Sequence, residues 1–127
     1  MLILGLESSC DETAAALVTG DRRVLAHRLA GQEAAHRPFG GVVPEIASRE
    51  HLKGLPSAIS EALTQANLTL KEIDWFVVTS HPGLIGALLV GVGFTKALAF
   101  SENKQFSTVN HIEAHLFSPL LCTLEGK

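Results

Sequence analysis

Two histidines near the end of the chain have the spacing of a helical metal site. His111 and His115 lie four residues apart, and residues at this separation project from one face of a helix, one turn apart. Two imidazoles placed in this way can reach the same metal ion. The pattern differs from that of the zincin proteases, in which Glu directly follows the first histidine, because Glu113 lies two positions on. Two partly exposed histidines on an amphipathic helix would have the same spacing, so both interpretations stay open here.

A polar turn near the start of the chain is the second candidate site. Residues 2–6 are a continuous apolar run, which is typical of a central strand covered on both faces. In the turn that follows, Ser8 and Ser9 supply hydroxyls, while Asp11 and Glu12 supply carboxylates that can hold a cation or accept a proton. The same composition also suits an ordinary hydrophilic turn.

The length, charge and cysteine content of the chain limit the kinds of protein it can be. A chain of 127 residues predicts one domain, 1–127, and a net charge of −3 disfavours nucleic-acid binding through the overall electrostatic field. Cys10 and Cys122 form no CxxC pair, which indicates reduced thiols and predicts a cytoplasmic protein. The apolar run 84–100 is shorter than the ~20 residues of a membrane span and contains Lys96, so a buried helix is expected and no membrane contact.

Hydrophobic periodicity predicts an α/β fold with the element order β-β-β-α-β-α-β-α. A mixed five-stranded sheet with helices on both faces follows from this order, and it matches the ribonuclease H-like subdomain of the actin/Hsp70/hexokinase superfamily. The predicted strands cover 2–6, 14–19, 24–29, 75–79 and 106–109, and the predicted helices begin near Pro44, at Leu84 and at an Asn110 N-cap, the last running through Leu121.

Three local expectations accompany these elements. The segment 31–41 is rich in Gly, His and Pro and is predicted to be a loop. Pro56 lacks the donor for an interior helix bond, so a kink or break is expected there. Thr69 and Glu72 have the spacing of a capping box that opens a single helical turn.

Four motifs in order resemble the signatures of one family. They are Ser-Ser-Cys-Asp-Glu-Thr-Ala at 8–14, Gly-Gly-Val-Val-Pro-Glu-Ile-Ala-Ser-Arg-Glu-His at 40–51, Pro-Gly-Leu-Ile-Gly-Ala-Leu-Leu-Val-Gly at 82–91 and Asn-His-Ile-Glu-Ala-His-Leu at 110–116. These stretches are similar to TsaD, the tRNA threonylcarbamoyladenosine synthases once described as O-sialoglycoprotein endopeptidases (glycoproteases). The resemblance spans nearly all of the chain, and four motifs in sequence are more specific than any one.

The resemblance implies an acyl transfer reaction. Threonylcarbamoyl-AMP would give its threonylcarbamoyl group to the exocyclic amine of the adenosine 3′ to the anticodon of tRNA, releasing AMP. One divalent metal, Fe or Zn, per full-length subunit would be held by His111, His115 and an Asp outside this chain, and would polarise the transferred carbonyl. Ser8 and Ser9 would bind substrate, and Asp11 and Glu12 would assist proton transfer.

The resemblance also implies a longer protein, its partners and its location. Family members are more than twice as long, so the chain is expected to be an N-terminal half that is inactive by itself and self-associates through exposed apolar helix surface. His81 stands where the family has Gly. The resemblance further implies partner subunits and a cytoplasmic location, or a mitochondrial one for an organellar paralogue. The alternatives are a non-catalytic actin-like scaffold subunit of the same complex, similar to TsaB, and, less favoured, a metalloprotease.

Overall fold

The computed structural model of the protein describes residues 1–117 and 120–123. Its centre is a six-stranded mixed sheet with the strand order β5-β4-β1-β2-β3-β6. The strands are β1 (Leu2–Glu7), β2 (Glu12–Thr19), β3 (Arg23–Gly31), β4 (Trp75–His81), β5 (Gln105–Asn110) and β6 (Cys122–Thr123). The helices are α1 (Glu33–His36), α2 (Pro44–Ala66), α3 (Ile85–Ser101) and α4 (His111–Phe117), with 3-10 turns at Arg37–Phe39 and Leu70–Glu72.

The predicted meander is confirmed: β1 pairs antiparallel with β2, and β2 with β3. The continuous apolar run of β1 is also explained, because Leu4 is fully buried and Leu6 nearly so. The five predicted strands are all present, but the sheet has one strand more than predicted. The two-residue strand β6 pairs parallel with the start of β3, and a strand this short carries no periodicity that a sequence pattern could show.

The two long helices α2 and α3 share one face of the sheet. α2 packs against β2, β3 and α3, while α3 packs against β4. Strand β4 pairs parallel with both β1 and β5. The two crossovers, from β3 to β4 and from β4 to β5, therefore run in the same direction along the sheet, and right-handed crossovers in one direction place their helices on one side.

Two local expectations need correction, the loop predicted for 31–41 and a break of the helix at Pro56. The segment predicted as a loop contains α1 and the 3-10 turn at Arg37–Phe39. Helix α2 continues without a break through Pro56. Packing of α2 on two strands and on α3 stabilises the helix on either side of the proline, which outweighs one missing backbone hydrogen bond.

The cap expectations were correct, but the last helix is shorter than predicted. Asn110 Oδ1 accepts hydrogen bonds from the backbone N–H groups of Ile112 (2.8 Å) and Glu113 (3.1 Å), as an N-cap does. The capping box of Thr69 and Glu72 is present as well. Helix α4 ends at Phe117, so Leu121 is not helical; positions 118 and 119 of the predicted helix lie outside the described residues.

Candidate functional site

Parallel pairing brings the site together at one edge of the sheet. Strands β1, β4 and β5 are parallel neighbours, so their carboxyl ends lie side by side. Glu7 ends β1, Thr79 lies near the end of β4, and β5 ends at Asn110, directly before His111. The carboxyl ends of parallel strands are where open α/β sheets bind ligands. The edge therefore collects groups that are far apart in sequence.

The two histidines of α4 converge as their spacing predicted. The Nε2 atoms of His111 and His115 are 3.0 Å apart, and the two rings lie edge to face with centroids 4.4 Å apart. The two nitrogens are thus within hydrogen-bond distance of each other. Two imidazole nitrogens that bind one ion at about 2.0–2.1 Å are separated by about 3.0–3.4 Å. The observed separation fits this requirement.

Glu7 is the site residue that sequence reasoning missed. Its Oε2 lies 3.0 Å from His111 Nδ1 and accepts a hydrogen bond from the Thr79 hydroxyl (2.6 Å), while its Oε1 accepts from the Ser9 backbone N–H (2.5 Å). Burial by itself raises the pKa of Glu7, but the hydrogen bonds from Ser9, Thr79 and His111 outweigh it and leave that pKa below its ordinary value. The carboxylate is therefore ionised at neutral pH.

An ionised Glu7 sets the tautomer of His111. A carboxylate only accepts, so His111 Nδ1 carries a proton, and in the neutral ring Nε2 has the lone pair. A carboxylate that accepts from one ring nitrogen of a histidine is the usual outer shell of a histidine that binds metal through its other nitrogen. The donor set thus fits a divalent metal with imidazole affinity. The one signal in the sequence was a charged residue at the end of an otherwise apolar strand.

The turn between β1 and β2 is held by three different elements. The carbonyl oxygen of Ser9 accepts from Leu84 N–H (2.8 Å), that of Cys10 from His51 Nε2 (2.8 Å), and that of Asp11 from Gln32 N–H (3.2 Å). Gly83 is required beside this turn, because a Cβ there would clash with the carbonyl oxygen of Ser9. The backbone of the turn is consequently immobilised before any ligand binds.

The two predicted serines lie inside this turn. Ser8 is fully buried, and its hydroxyl donates to the carbonyl of Ala87 in α3 (2.9 Å). Ser9 is almost as buried, and its Oγ lies 3.3 Å from His111 Nδ1. Both side chains thus position the turn or the histidine. The substrate-binding role inferred for them from the resemblance stays a prediction.

Asp11 and Glu12 lie beside the histidine pair, as expected. Together with His111 and His115 they line a cleft of about 550 Å³, which we call the histidine cleft; its remaining lining residues are Glu7, Ser9, Cys10, Leu29, Ala114 and Leu121. Glu113 is exposed and does not line it. A second cleft of about 560 Å³ shares Asp11 and Glu12 and continues along Gly31–Arg37 and Gly40–Val42. The two carboxylates therefore form a ridge between two clefts.

The histidine pair does not make a complete metal site on its own. Among the residues whose side chains the structure describes, there is no group of three or more His, Cys, Asp or Glu that could hold a metal ion. Structural and catalytic zinc sites use at least three protein ligands. Two imidazoles from this chain would accordingly leave positions for water or for ligands from elsewhere.

Comparison with known families assigns the chain to one of them. A family model described as tRNA N6-adenosine threonylcarbamoyltransferase, TsaD, matches residues 23–125. The chain belongs to the TsaD family. A relative of that name from Sphingopyxis alaskensis is 61% identical over 120 residues, covering 94% of this chain and 35% of the relative. One from Fusobacterium nucleatum is 46% identical over 121 residues, 95% of this chain and 36% of the relative. The chain thus spans about a third of the length of these curated TsaD relatives.

Solved structures confirm the ribonuclease H-like fold. YeaZ from Pseudomonas aeruginosa superposes with a TM-score of 0.63 at 20% identity, covering 86% of this chain and 43% of that chain. RuvC from T. thermophilus, solved with a Holliday junction substrate, gives 0.55 at 11% identity, with 91% and 68% covered. At these identities the likeness concerns the fold alone. Within the described residues, no helix is long and apolar enough to cross a membrane.

Replacing Glu7 by Gln is expected to weaken the binding of Zn²⁺ by this TsaD chain about 10–100-fold, the usual effect of losing an outer-shell carboxylate. The amide can still accept from His111 Nδ1 but brings no charge. Competition with a chromophoric chelator would measure the affinity. Glu113→Gln is the matched control, because it removes the same charge from an exposed position outside the cleft. Equal losses in both variants would contradict a specific role for Glu7.

Proposed function

We propose that this chain forms the N-terminal part of an enzyme that transfers a threonylcarbamoyl group to N6 of an adenosine in tRNA. The single observation that carries the proposal is the histidine cleft of a TsaD family member, which two adjacent imidazoles and two carboxylates line together. Following the resemblance, the donor is threonylcarbamoyl-AMP and the acceptor is the adenosine 3′ to the anticodon. Such an enzyme acts in the cytoplasm, or in mitochondria for an organellar paralogue.

The chain's own groups suit this transfer. His111 and His115 would hold one divalent ion, Fe or Zn, through their facing Nε2 atoms, with Glu7 orienting His111. When bound, that ion supplies Lewis acidity toward a carbonyl oxygen. Asp11 and Glu12 line the same cleft and can accept a proton from an attacking amine. The rigid backbone of their turn keeps both carboxylates at the cleft before substrate arrives.

Joining the chain to the C-terminal part of the Sphingopyxis alaskensis relative would test the proposal, since the two are 61% identical over the shared region. Together with the partner subunits expected of such a complex, the joined protein should transfer a labelled threonylcarbamoyl group from threonylcarbamoyl-AMP to tRNA. His111→Ala should abolish transfer, while His27→Ala, an exposed histidine on β3, should not. Transfer that survives His111→Ala would contradict the proposal. The 127-residue chain alone should transfer nothing.

The two alternatives make different predictions in the same assay. A scaffold subunit would support transfer equally well with His111 or His115 replaced. The likeness to YeaZ does not favour this alternative, because it shows the fold only. A metalloprotease would cleave peptide substrates, but Glu113, the carboxylate next to the histidines in sequence, is absent from the cleft lining. The pair of imidazoles favours the transferase over the scaffold, and the position of Glu113 disfavours the metalloprotease.

Self-association is expected through an exposed apolar stripe on α3. Ile85, Leu89 and Phe100 of this helix are 77%, 67% and 88% exposed. Re-burying each 100 Å² of such surface contributes about 2.5 kcal/mol before the costs of association. We therefore expect a dimer or larger species at micromolar concentration, measured by sedimentation equilibrium. Leu89→Lys should shift the chain toward monomer, and Leu29→Lys, at an exposed leucine of β3, should not. A monomer of 13.5 kDa in the unmodified chain would refute this expectation.

A further inference from the structure

A chain of buried polar side chains lies behind the ridge that separates the two clefts. His51 of α2 is fully buried, and Thr13, His36 and Gln32 are 1%, 4% and 6% exposed. In the described part of the chain, no buried side-chain nitrogen or oxygen lacks a hydrogen-bond partner. Four buried polar side chains in contact form a network in which the direction of each hydrogen bond constrains the next.

The direction of this network can be read from its outer end. The backbone N–H of Val43 donates to His36 Nδ1 (3.0 Å), so the His36 proton is on Nε2, which donates to Gln32 Oε1 (2.9 Å). The amide nitrogen of Gln32 then lies 3.4 Å from His51 Nδ1 and donates toward it. His51 Nδ1 is therefore an acceptor.

The inner end of the network contacts the backbone of the ridge. Thr13 Oγ1 lies 2.8 Å from the same His51 Nδ1 and donates to it. His51 Nε2 must then carry the proton, and it donates to the carbonyl oxygen of Cys10 (2.8 Å). The next carbonyl, that of Asp11, accepts from the backbone N–H of Gln32 (3.2 Å). Two consecutive peptide planes are thus fixed by neighbouring members of one network.

These two peptide planes determine where the ridge carboxylates point. The peptide between Cys10 and Asp11 and the peptide between Asp11 and Glu12 set the backbone on both sides of Asp11. Burial lowers the pKa of His51, which keeps the ring in the neutral form that the network requires. A buried histidine with a purely structural role could find hydrogen-bond partners for its two nitrogens at any position. His51 instead donates to the carbonyl of Cys10, the residue directly before Asp11 and Glu12.

We propose that His51 is a positioning residue that aims Asp11 and Glu12 into the histidine cleft through the hydrogen bond from its Nε2 to the Cys10 carbonyl. The functional meaning rests on the proposed transferase activity, in which these carboxylates act, but the positioning itself does not. His51 touches neither cleft and is not a catalytic residue. Gln32 and His36 of the same network line the second cleft, so the network joins the two clefts structurally.

Two substitutions separate the positioning role from simple burial. The side-chain nitrogen of Gln can take the place of histidine Nε2, whereas that of Asn lies nearer to Nδ1. His51→Gln therefore keeps a donor for the Cys10 carbonyl, and His51→Asn removes it while leaving a polar group near Thr13. Both substitutions replace the Nδ1 acceptor that Thr13 and Gln32 contact. If His51 had only a structural role, the two variants should therefore behave alike.

The thiol of Cys10 is a reporter within the turn itself. It is exposed, and burial, followed by the charge and hydrogen bond of Asp11, raises its pKa. Alkylation rates would be measured at pH 7 in a Cys122→Ser background, where Cys10 is the only cysteine. His51→Asn should react about threefold to tenfold faster, because a turn that His51 no longer holds weakens the effects of burial and of Asp11 that raise the pKa of this thiol. His51→Gln should stay within about twofold of the parent.

Equal rates in the two variants would overturn the proposal. If His51→Asn does not fold, NMR of the unmodified chain labelled with ¹⁵N and ¹³C decides the question. A neutral His51 with its proton on Nε2 and scalar coupling to the Cys10 carbonyl carbon supports the proposal, and the other tautomer refutes it. In the joined enzyme, His51→Asn should lower kcat with KM for tRNA unchanged, and His51→Gln should restore it. If the thiol rates behave as expected but the parent enzyme transfers nothing, the proposed function fails and the positioning role stands.

Discussion

Replacing His115 by alanine is expected to abolish divalent metal binding by this TsaD chain. The parent should bind Zn²⁺ with micromolar or weaker affinity, because two imidazoles and water are a poor ligand set compared with the three or four ligands of established sites. One remaining imidazole should bind at least about 100-fold more weakly. Isothermal titration calorimetry at pH 7.5 would measure both affinities.

The histidine content of the chain provides the control for this experiment. The chain has six histidines, and His27 on β3 is exposed and outside both clefts. His27→Ala should bind Zn²⁺ as the parent does, and His111→Ala should fail like His115→Ala. Tight binding that persists in His115→Ala would place the metal elsewhere on the chain and refute the assignment.

A single methyl group at Gly91 is expected to destabilise the fold. A Cβ there would overlap the hydroxyl oxygen of Ser8 and lie 3.1 Å from its Cβ, with Val78 Cγ2 at 3.4 Å. Ser8 is fully buried and hydrogen-bonded to Ala87, so it has little room to move. Overpacking of this kind costs about 1–3 kcal/mol, which exceeds the gain of about 1 kcal/mol from replacing a helical glycine by alanine. Urea unfolding of Gly91→Ala would measure the loss.

The same helix provides the matched comparison. Gly93 lies two residues further along α3, and a Cβ there meets no atom within 4 Å. Gly93→Ala should therefore stabilise the chain by about 0.5–1 kcal/mol through helix propensity alone. Combining Gly91→Ala with Ser8→Ala should recover part of the loss, because the hydroxyl that clashes is gone. If Gly91→Ala proved as stable as Gly93→Ala, α3 would not approach the β1–β2 turn as closely as described.

Features that depend on neighbouring residues were predictable from the sequence. The N-cap at Asn110 and the capping box of Thr69 and Glu72 are hydrogen bonds between residues two or three positions apart, so the local sequence contains both partners. The convergence of His111 and His115 follows from helix geometry alone. The antiparallel meander follows from three short strands joined by tight turns.

Features that depend on packing at long range were not predictable. Glu7 is 104 positions from His111, and only the parallel pairing of β1, β4 and β5 brings the two together. The burial of Ser8 depends in the same way on α3, whose Ala87 accepts its hydrogen bond from 79 positions further along the chain. The continuity of α2 through Pro56 likewise comes from the strands and helix that pack against it.

The fold class and the pair of imidazoles on one helix face could be predicted from the sequence, because they follow from periodicity and from contacts within a turn or two. The family signatures were visible as a resemblance of four motifs. The distant groups that hold the site in place became visible in the folded chain. Glu7 reaches His111, and His51 reaches the Cys10 carbonyl across 41 positions. A hydrogen bond between distant residues depends on sheet register and crossover handedness, and neither is a property of any local stretch of sequence.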